Sequence, residues 1–184
     1  MVTSSVTHPP VREDATLADA RAAIWRALGG IVDPEIPTVS IVELGIVRDV
    51  ARASDAWIVT VTPTYSGCPA TRIIEADIRS AIGAAIGEDV RIVTALAPAW
   101  TTDWIAPEGR LKLREAGIAP PHAAMVDCAV QGHPVTFRRP REPVRCPNCG
   151  SLRTTELARF GSTACKAQYR CTECLEPFDF FKPH

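Results

Sequence analysis

The residues predict an α+β chain in two parts: a small helix–strand–strand–helix–strand domain, then a compact cysteine-rich C-terminal module. Three observations carry this prediction. Segments with apolar residues at helical spacing are interleaved with segments of strict alternation over the first hundred positions. Two Cys-x-x-Cys pairs stand near the C-terminus. Between these regions, 8 of the 16 prolines fall between positions 98 and 147, where they interrupt both helix and central strand.

Taken in order, residues 1–15 mix polar side chains with Pro9-Pro10 and read as a flexible N-terminus, without the apolar stretch of a signal peptide. A helix is expected from about Thr16 to Gly29. Thr16 and Asp19 form a capping box, Leu17, Ala20, Ile24 and Leu28 form one apolar stripe, and Gly29-Gly30 ends it. Ile46–Val50 and Trp57–Val61 read as strands of a hairpin turning at Ala53–Ala56. Pro69 suits the first position of a second helix, along which Ile74, Ile78, Ile82 and Ile86 repeat before Gly87. Val90–Leu96 alternates as a third strand, which completes a domain over about 16–105. Residues 106–142 are expected to be a Pro-rich connector with a short helix from Pro107 to Gly117, and 143–184 the terminal module.

A formal net charge of −1 argues against a surface devoted to nucleic acid or acidic lipid. No apolar run approaches the roughly 18–20 residues of a membrane-spanning helix. Seven cysteines, four of them in paired spacing, fit metal ligation in a reducing compartment better than a disulfide framework, and the cytoplasm is the expected location.

Cys146-Pro147-Asn148-Cys149-Gly150 and Cys171-Thr172-Glu173-Cys174 are separated by 21 residues, close to the spacing of a zinc ribbon. Two residues between cysteines let one tight turn aim both sulfurs at one ion, and four thiolates suit Zn²⁺ with no position left for water. The metal is therefore expected to be structural, stapling a segment too short to bury a core of its own. Cys165 is an alternative ligand, or a buried free thiol. Phe178, Phe180 and Phe181 are expected to pack a mini-core around the site. The net charge of +4 from residue 138 onward, with those three rings, motivates an alternative reading as a nucleic-acid or protein adaptor.

Ser66-Gly67-Cys68-Pro69 places Cys68 at the start of the second helix, where unpaired N–H groups and the helix dipole are expected to lower its pKa. Such a thiolate could hold a soft metal or attack an electrophile; the alternative is a small buried capping residue. Asp33-Pro34-Glu35-Ile36-Pro37 reads as a stiff turn carrying two carboxylates. His8, His122, His133 and His184 fall in loops or at a terminus, which leaves no base for an acyl-transfer site.

Asp33-Pro34-Glu35-Ile36-Pro37, Leu44-Gly45-Ile46-Val47 and Thr62-Pro63-Thr64-Tyr65-Ser66-Gly67-Cys68-Pro69 together resemble the iron–sulfur assembly domain family. That domain is shared by bacterial SufT-like proteins and eukaryotic cytosolic iron–sulfur targeting factors, and the likeness covers about residues 16–100. Further on, Trp100-Thr101-Thr102-Asp103-Trp104-Ile105, the run from Leu113 to Pro121, that from Phe160 to Cys171 and the terminal Phe181-Lys182-Pro183-His184 are similar to a narrower family. Its members are the small accessory subunits of the ring-1,2-phenylacetyl-CoA epoxidase of aerobic phenylacetate degradation. The resemblance implies that Cys68 takes part in iron–sulfur delivery, with Asp33 and Glu35 as the other signature element. It implies an accessory or maturation role, without catalysis by this chain, in supplying a cluster to the reductase subunit that feeds the oxygenase subunit. The cofactors implied are a structural zinc and a transient iron or iron–sulfur cluster. The partners implied are those epoxidase subunits and the iron–sulfur assembly machinery; a homodimer is compatible with the small domain. The four-helix Glu/His di-iron pattern of the oxygenase itself is absent.

Overall fold

The computed structural model describes residues 13–53, 55–65, 67–121 and 143–183. Helix α1 runs over Glu13–Gly29. It begins a turn earlier than expected, so Thr16 and Asp19 lie within the helix rather than at its cap. Ile24 and Leu28 are fully buried, whereas Leu17 is 42% exposed, so the apolar stripe faces the core only beyond Ala20. Two short strands that alternation alone does not reveal, β1 (Val32–Asp33) and β2 (Ile36–Ser40), pair as an antiparallel hairpin whose turn is the Asp33–Ile36 segment.

Strands β3 (Val47–Arg52) and β4 (Trp57–Val61) form the expected antiparallel hairpin, with Val50 opposite Val59. Helix α2 (Thr71–Ile86) then crosses over to β5 (Val90–Thr94), which pairs parallel to β4. The helix starts two residues after Pro69 and buries Ile74, Ile78 and Ile82. Gly87 ends it in the left-handed conformation (φ 70°), its N–H donating to Gly83 O at 2.9 Å. The core lies between the β3–β4–β5 sheet and the two helices, where Val50, Trp57 and Val59 meet Leu28, Ile78 and Ile82.

A 3₁₀ turn (Thr102–Trp104) and helix α3 (Pro107–Glu115) follow. Trp100 donates its indole N–H to Leu44 O at 2.9 Å, and the Arg48 guanidinium lies 3.5 Å from the Trp104 ring centre. Both tryptophans are thus engaged in packing against the first core. Gly45 (φ 69°) makes this packing possible, because a Cβ there would lie 2.5 Å from Trp104 O. The two-residue strand β6 (Ile118–Ala119) joins the C-terminal strands β7 (Thr154–Ala158), β8 (Lys166–Cys171) and β9 (Pro177–Phe181) in the order β6-β9-β8-β7. β6 is parallel to β9 and the other pairs are antiparallel. Among the described residues no helix is long and apolar enough to cross a membrane.

Candidate functional sites

Two tight turns at one end of the C-terminal sheet carry the paired cysteines. Cys146 N–H donates to Ser151 O (2.9 Å) in the first, and Cys171 N–H donates to Glu176 O (3.0 Å) in the second. Each turn passes through a left-handed residue just after its second cysteine, Gly150 (φ 76°) and Leu175 (φ 64°). The sulfurs of Cys146, Cys149, Cys171 and Cys174 all lie within 4.8 Å of one another. Cys146 and Cys174 are 3.7 Å apart, and Cys149 and Cys171 3.5 Å.

A tetrahedron with Zn–S bonds of about 2.3 Å has edges of about 3.8 Å, so this donor set fits a closed four-thiolate metal centre. Cys171 is held low, chiefly by the Cys174 N–H. For Cys174 the Glu176 N–H pulls downward, but burial and the other three sulfurs outweigh it and push the thiol up to about 12. Four thiolates this close therefore need a cation among them. Phe178 and Phe180 pack beside the centre with Tyr169. Phe181, expected beside them, turns to the opposite side and joins the first core, 5.9 Å from Trp100, because successive strand residues face opposite ways. All three rings are buried and none is free to stack on a base.

The second site lies where the other end of that sheet meets the β1–β2 turn and the segment before α2. Asp33, Glu35, Cys68, Cys165 and Phe181 line one cavity of about 20 Å³ there. Asp33 is 6% exposed, not a surface turn residue: its Oδ1 accepts the N–H groups of Glu35 (2.8 Å) and Ile36 (2.9 Å). Asp33 thus holds the turn that presents Glu35. Burial raises its pKa, against those two N–H groups and Lys166. Cys165, 3% exposed, precedes β8; its thiol lies 3.0 Å from Thr163 Oγ1 and 3.6 Å from Glu35 Oε2. The Lys166 ammonium reaches Glu35 O (3.5 Å) and Asp179 Oδ2 (3.6 Å).

The expected low pKa of Cys68 is not found. Burial raises it, the N–H groups of Ala70 and Thr71 at the start of α2 lower it, and the Glu35 and Asp33 carboxylates raise it again. The helix terminus is present, but burial and two carboxylates outweigh it. Burial above all, with Glu35 reinforcing and Thr163 opposing, pushes Cys165 up to about 11. Both groups are therefore thiols at neutral pH.

The structure therefore brings Asp33, Glu35 and Cys68 together, and separately Cys146, Cys149, Cys171 and Cys174. Cys165 stands with the first group and takes no place among the four ribbon sulfurs. Tyr65, which borders Cys68, and Lys166 are not singled out by sequence; neither type nor spacing signals them. Cys128 and the four histidines fall outside the described residues.

Comparison with known proteins follows the same division. An iron–sulfur cluster assembly protein family matches residues 21–94, and the PaaD zinc beta ribbon domain matches residues 131–182. A protein of Escherichia coli (strain K12), provisionally named as a subunit of 1,2-phenylacetyl-CoA epoxidase, is 48% identical over 169 residues, 91% of this chain and 96% of that one. The Fe-S protein maturation auxiliary factor YitW of Bacillus subtilis (strain 168) is 36% identical over 93 residues, 49% of this chain and 89% of that one. A domain of unknown function, DUF59, from Bacillus anthracis superimposes with a TM-score of 0.51 at 22% identity, covering 55% of this chain and 97% of that one. At that identity the likeness shows a shared fold.

Proposed function

For a chain that belongs to the PaaD family of 1,2-phenylacetyl-CoA epoxidase subunits, we propose an accessory role in maturing the epoxidase of aerobic phenylacetate degradation. In this reading the protein assists iron–sulfur cluster assembly or delivery to the reductase subunit and performs no epoxidation itself. It works in the cytoplasm, beside the epoxidase subunits and the iron–sulfur assembly machinery. Residues 16–105 carry the cargo site, and residues 143–184 are the zinc-stapled module.

The observation that carries this reading is the convergence of Cys68 with Glu35 in one small, partly enclosed cavity, inside the segment that matches the assembly family. Asp33 fixes the turn, Glu35 offers an oxygen, and Cys68 offers the sulfur on which iron is received and from which it is passed on. Iron is the cargo, whereas Cys146, Cys149, Cys171 and Cys174 would hold a resident zinc that supplies stability alone.

A Cys68→Ser variant is the direct test. It should keep the zinc content of the wild type while the reductase subunit isolated from the same cells loses most of its iron and sulfide. Full cluster content in that reductase would remove Cys68 from the role.

A further inference from the structure

We infer that Cys165 is the second sulfur ligand of the Cys68 site, so that one thiophilic divalent cation of the ferrous class is held by Cys68, Cys165 and the Glu35 carboxylate. This rests on the reading of Cys68 as the cargo-holding thiol and adds what that reading lacks: a donor supplied by the C-terminal sheet.

Cys165 is 130 positions from Glu35 in sequence, yet its thiol donates to Glu35 Oε2 at 3.6 Å. A cysteine buried only to fill space is surrounded by carbon. Cys165 instead faces a carboxylate and a threonine hydroxyl, and lines the same cavity as a second thiol. Two thiols and a carboxylate suit borderline-soft divalent ions such as Fe²⁺, Co²⁺ and Zn²⁺. Three protein donors also leave a position open, unlike the closed set of four in the ribbon.

The cavity volume of about 20 Å³ sets the nuclearity. A site needs about 10–15 Å³ of such volume for a single water, so this one admits one ion and leaves no room for a cluster of several metals while the sheet is docked. Among the described residues, the ribbon cysteines are the one group of three or more such donors already close enough to share an ion, so ligation here requires Cys68 and Cys165 to move inward. Binding replaces the two thiol protons with one M²⁺: two S–H bonds break, two M–S bonds form, and two protons leave to solvent. The Lys166 ammonium, 3.5 Å from Glu35 O, lies beside the anionic complex that results.

The test uses the full chain in a Cys128→Ser background, anaerobic and loaded with one zinc per chain, titrated with Co²⁺. Thiolate-to-cobalt charge transfer in the near ultraviolet counts the sulfur ligands. The parent should bind one cobalt with the intensity of two thiolates. Cys165→Ser and Cys68→Ser should each show half that intensity and bind at least ~100-fold more weakly, since even a group behind a metal ligand is worth about 10–100-fold. Glu35→Gln, which leaves both sulfurs in place, should keep the two-thiolate intensity but bind more weakly.

Parental intensity and affinity in Cys165→Ser would overturn the inference. If Cys68→Ser alone then abolished binding, the cargo role of Cys68 would stand. No uptake by the parent would overturn the single-ion site, and the reductase assay would still judge the maturation role on its own.

Discussion

The four-sulfur centre and the Cys68 cavity are both assembled from cysteine, but they differ in where their geometry comes from. In the ribbon, each pair of sulfurs is set by its own tight turn, and the strands of one sheet bring the two pairs together. In the cavity, each polar group arrives on a different element: Glu35 from a two-strand turn, Cys68 from the approach to α2, Cys165 from the end of another sheet. The first arrangement is saturated and closed. The second holds its thiols protonated, one beside a carboxylate. Local geometry sets the first site and long-range packing the second, and the proposed exchange of cargo falls to the second.

The largest effect should come from breaking the closed centre. Cys171→Ser should release the zinc and unfold the ribbon, because metal binding to such modules supplies about 10–16 kcal/mol of folding free energy. Zinc content and amide exchange of β7–β9 would check this. Retained zinc with a protected hairpin would show that three thiolates suffice.

Next in size, Phe181→Ala should cost about 3–5 kcal/mol in urea denaturation, since that ring is 1% exposed and packs on Trp100. Its zinc content should stay at the parental level, which separates docking of the sheet from integrity of the metal centre.

A smaller effect isolates the turn beneath the cavity. Asp33→Ala leaves the Glu35 and Ile36 N–H groups without their acceptor and should cost about 1–3 kcal/mol, whereas Asp33→Asn, which retains an oxygen there, should cost much less. Equal losses in chemical denaturation would mean that the charge, and not the turn, is what matters.

The smallest pair compares the two ribbon turns. Gly150→Ala should destabilise the module by about 1–2 kcal/mol, the cost of a Cβ in the left-handed region, and Leu175→Gly should relieve a similar strain and raise the melting temperature.

Much of this is legible in the sequence, for reasons that track the same contrast. Ile74, Ile78 and Ile82 announce α2 because one helix face is buried along its length, and the Cys-x-x-Cys pairs announce the ribbon because two residues define the turn. Cys165 gives no such signal. Its partners across the cavity lie about a hundred positions away or more, and no periodicity reports a contact over that distance. The helix-terminus argument for Cys68 names a true local feature, but the neighbours that outweigh it come from the β1–β2 turn. Leu17 and Phe181 depart from expectation for a related reason: their spacing is right for their element, but tertiary packing decides which face is covered.

Strand β8 runs from one site to the other, with Cys165 just before its first residue and Cys171 at its last, about 20 Å apart at strand rise. Cys171 lies with Tyr169, Phe178 and Phe180 in the ribbon core, whereas Cys165 joins Phe181 in the core of the first domain, so strict alternation does not extend back from β8 to Cys165. The strand therefore acts as a ruler for distance: inserting or deleting one residue within it would leave every cysteine in the chain and still shift Cys165 by about 3.3 Å relative to Cys171.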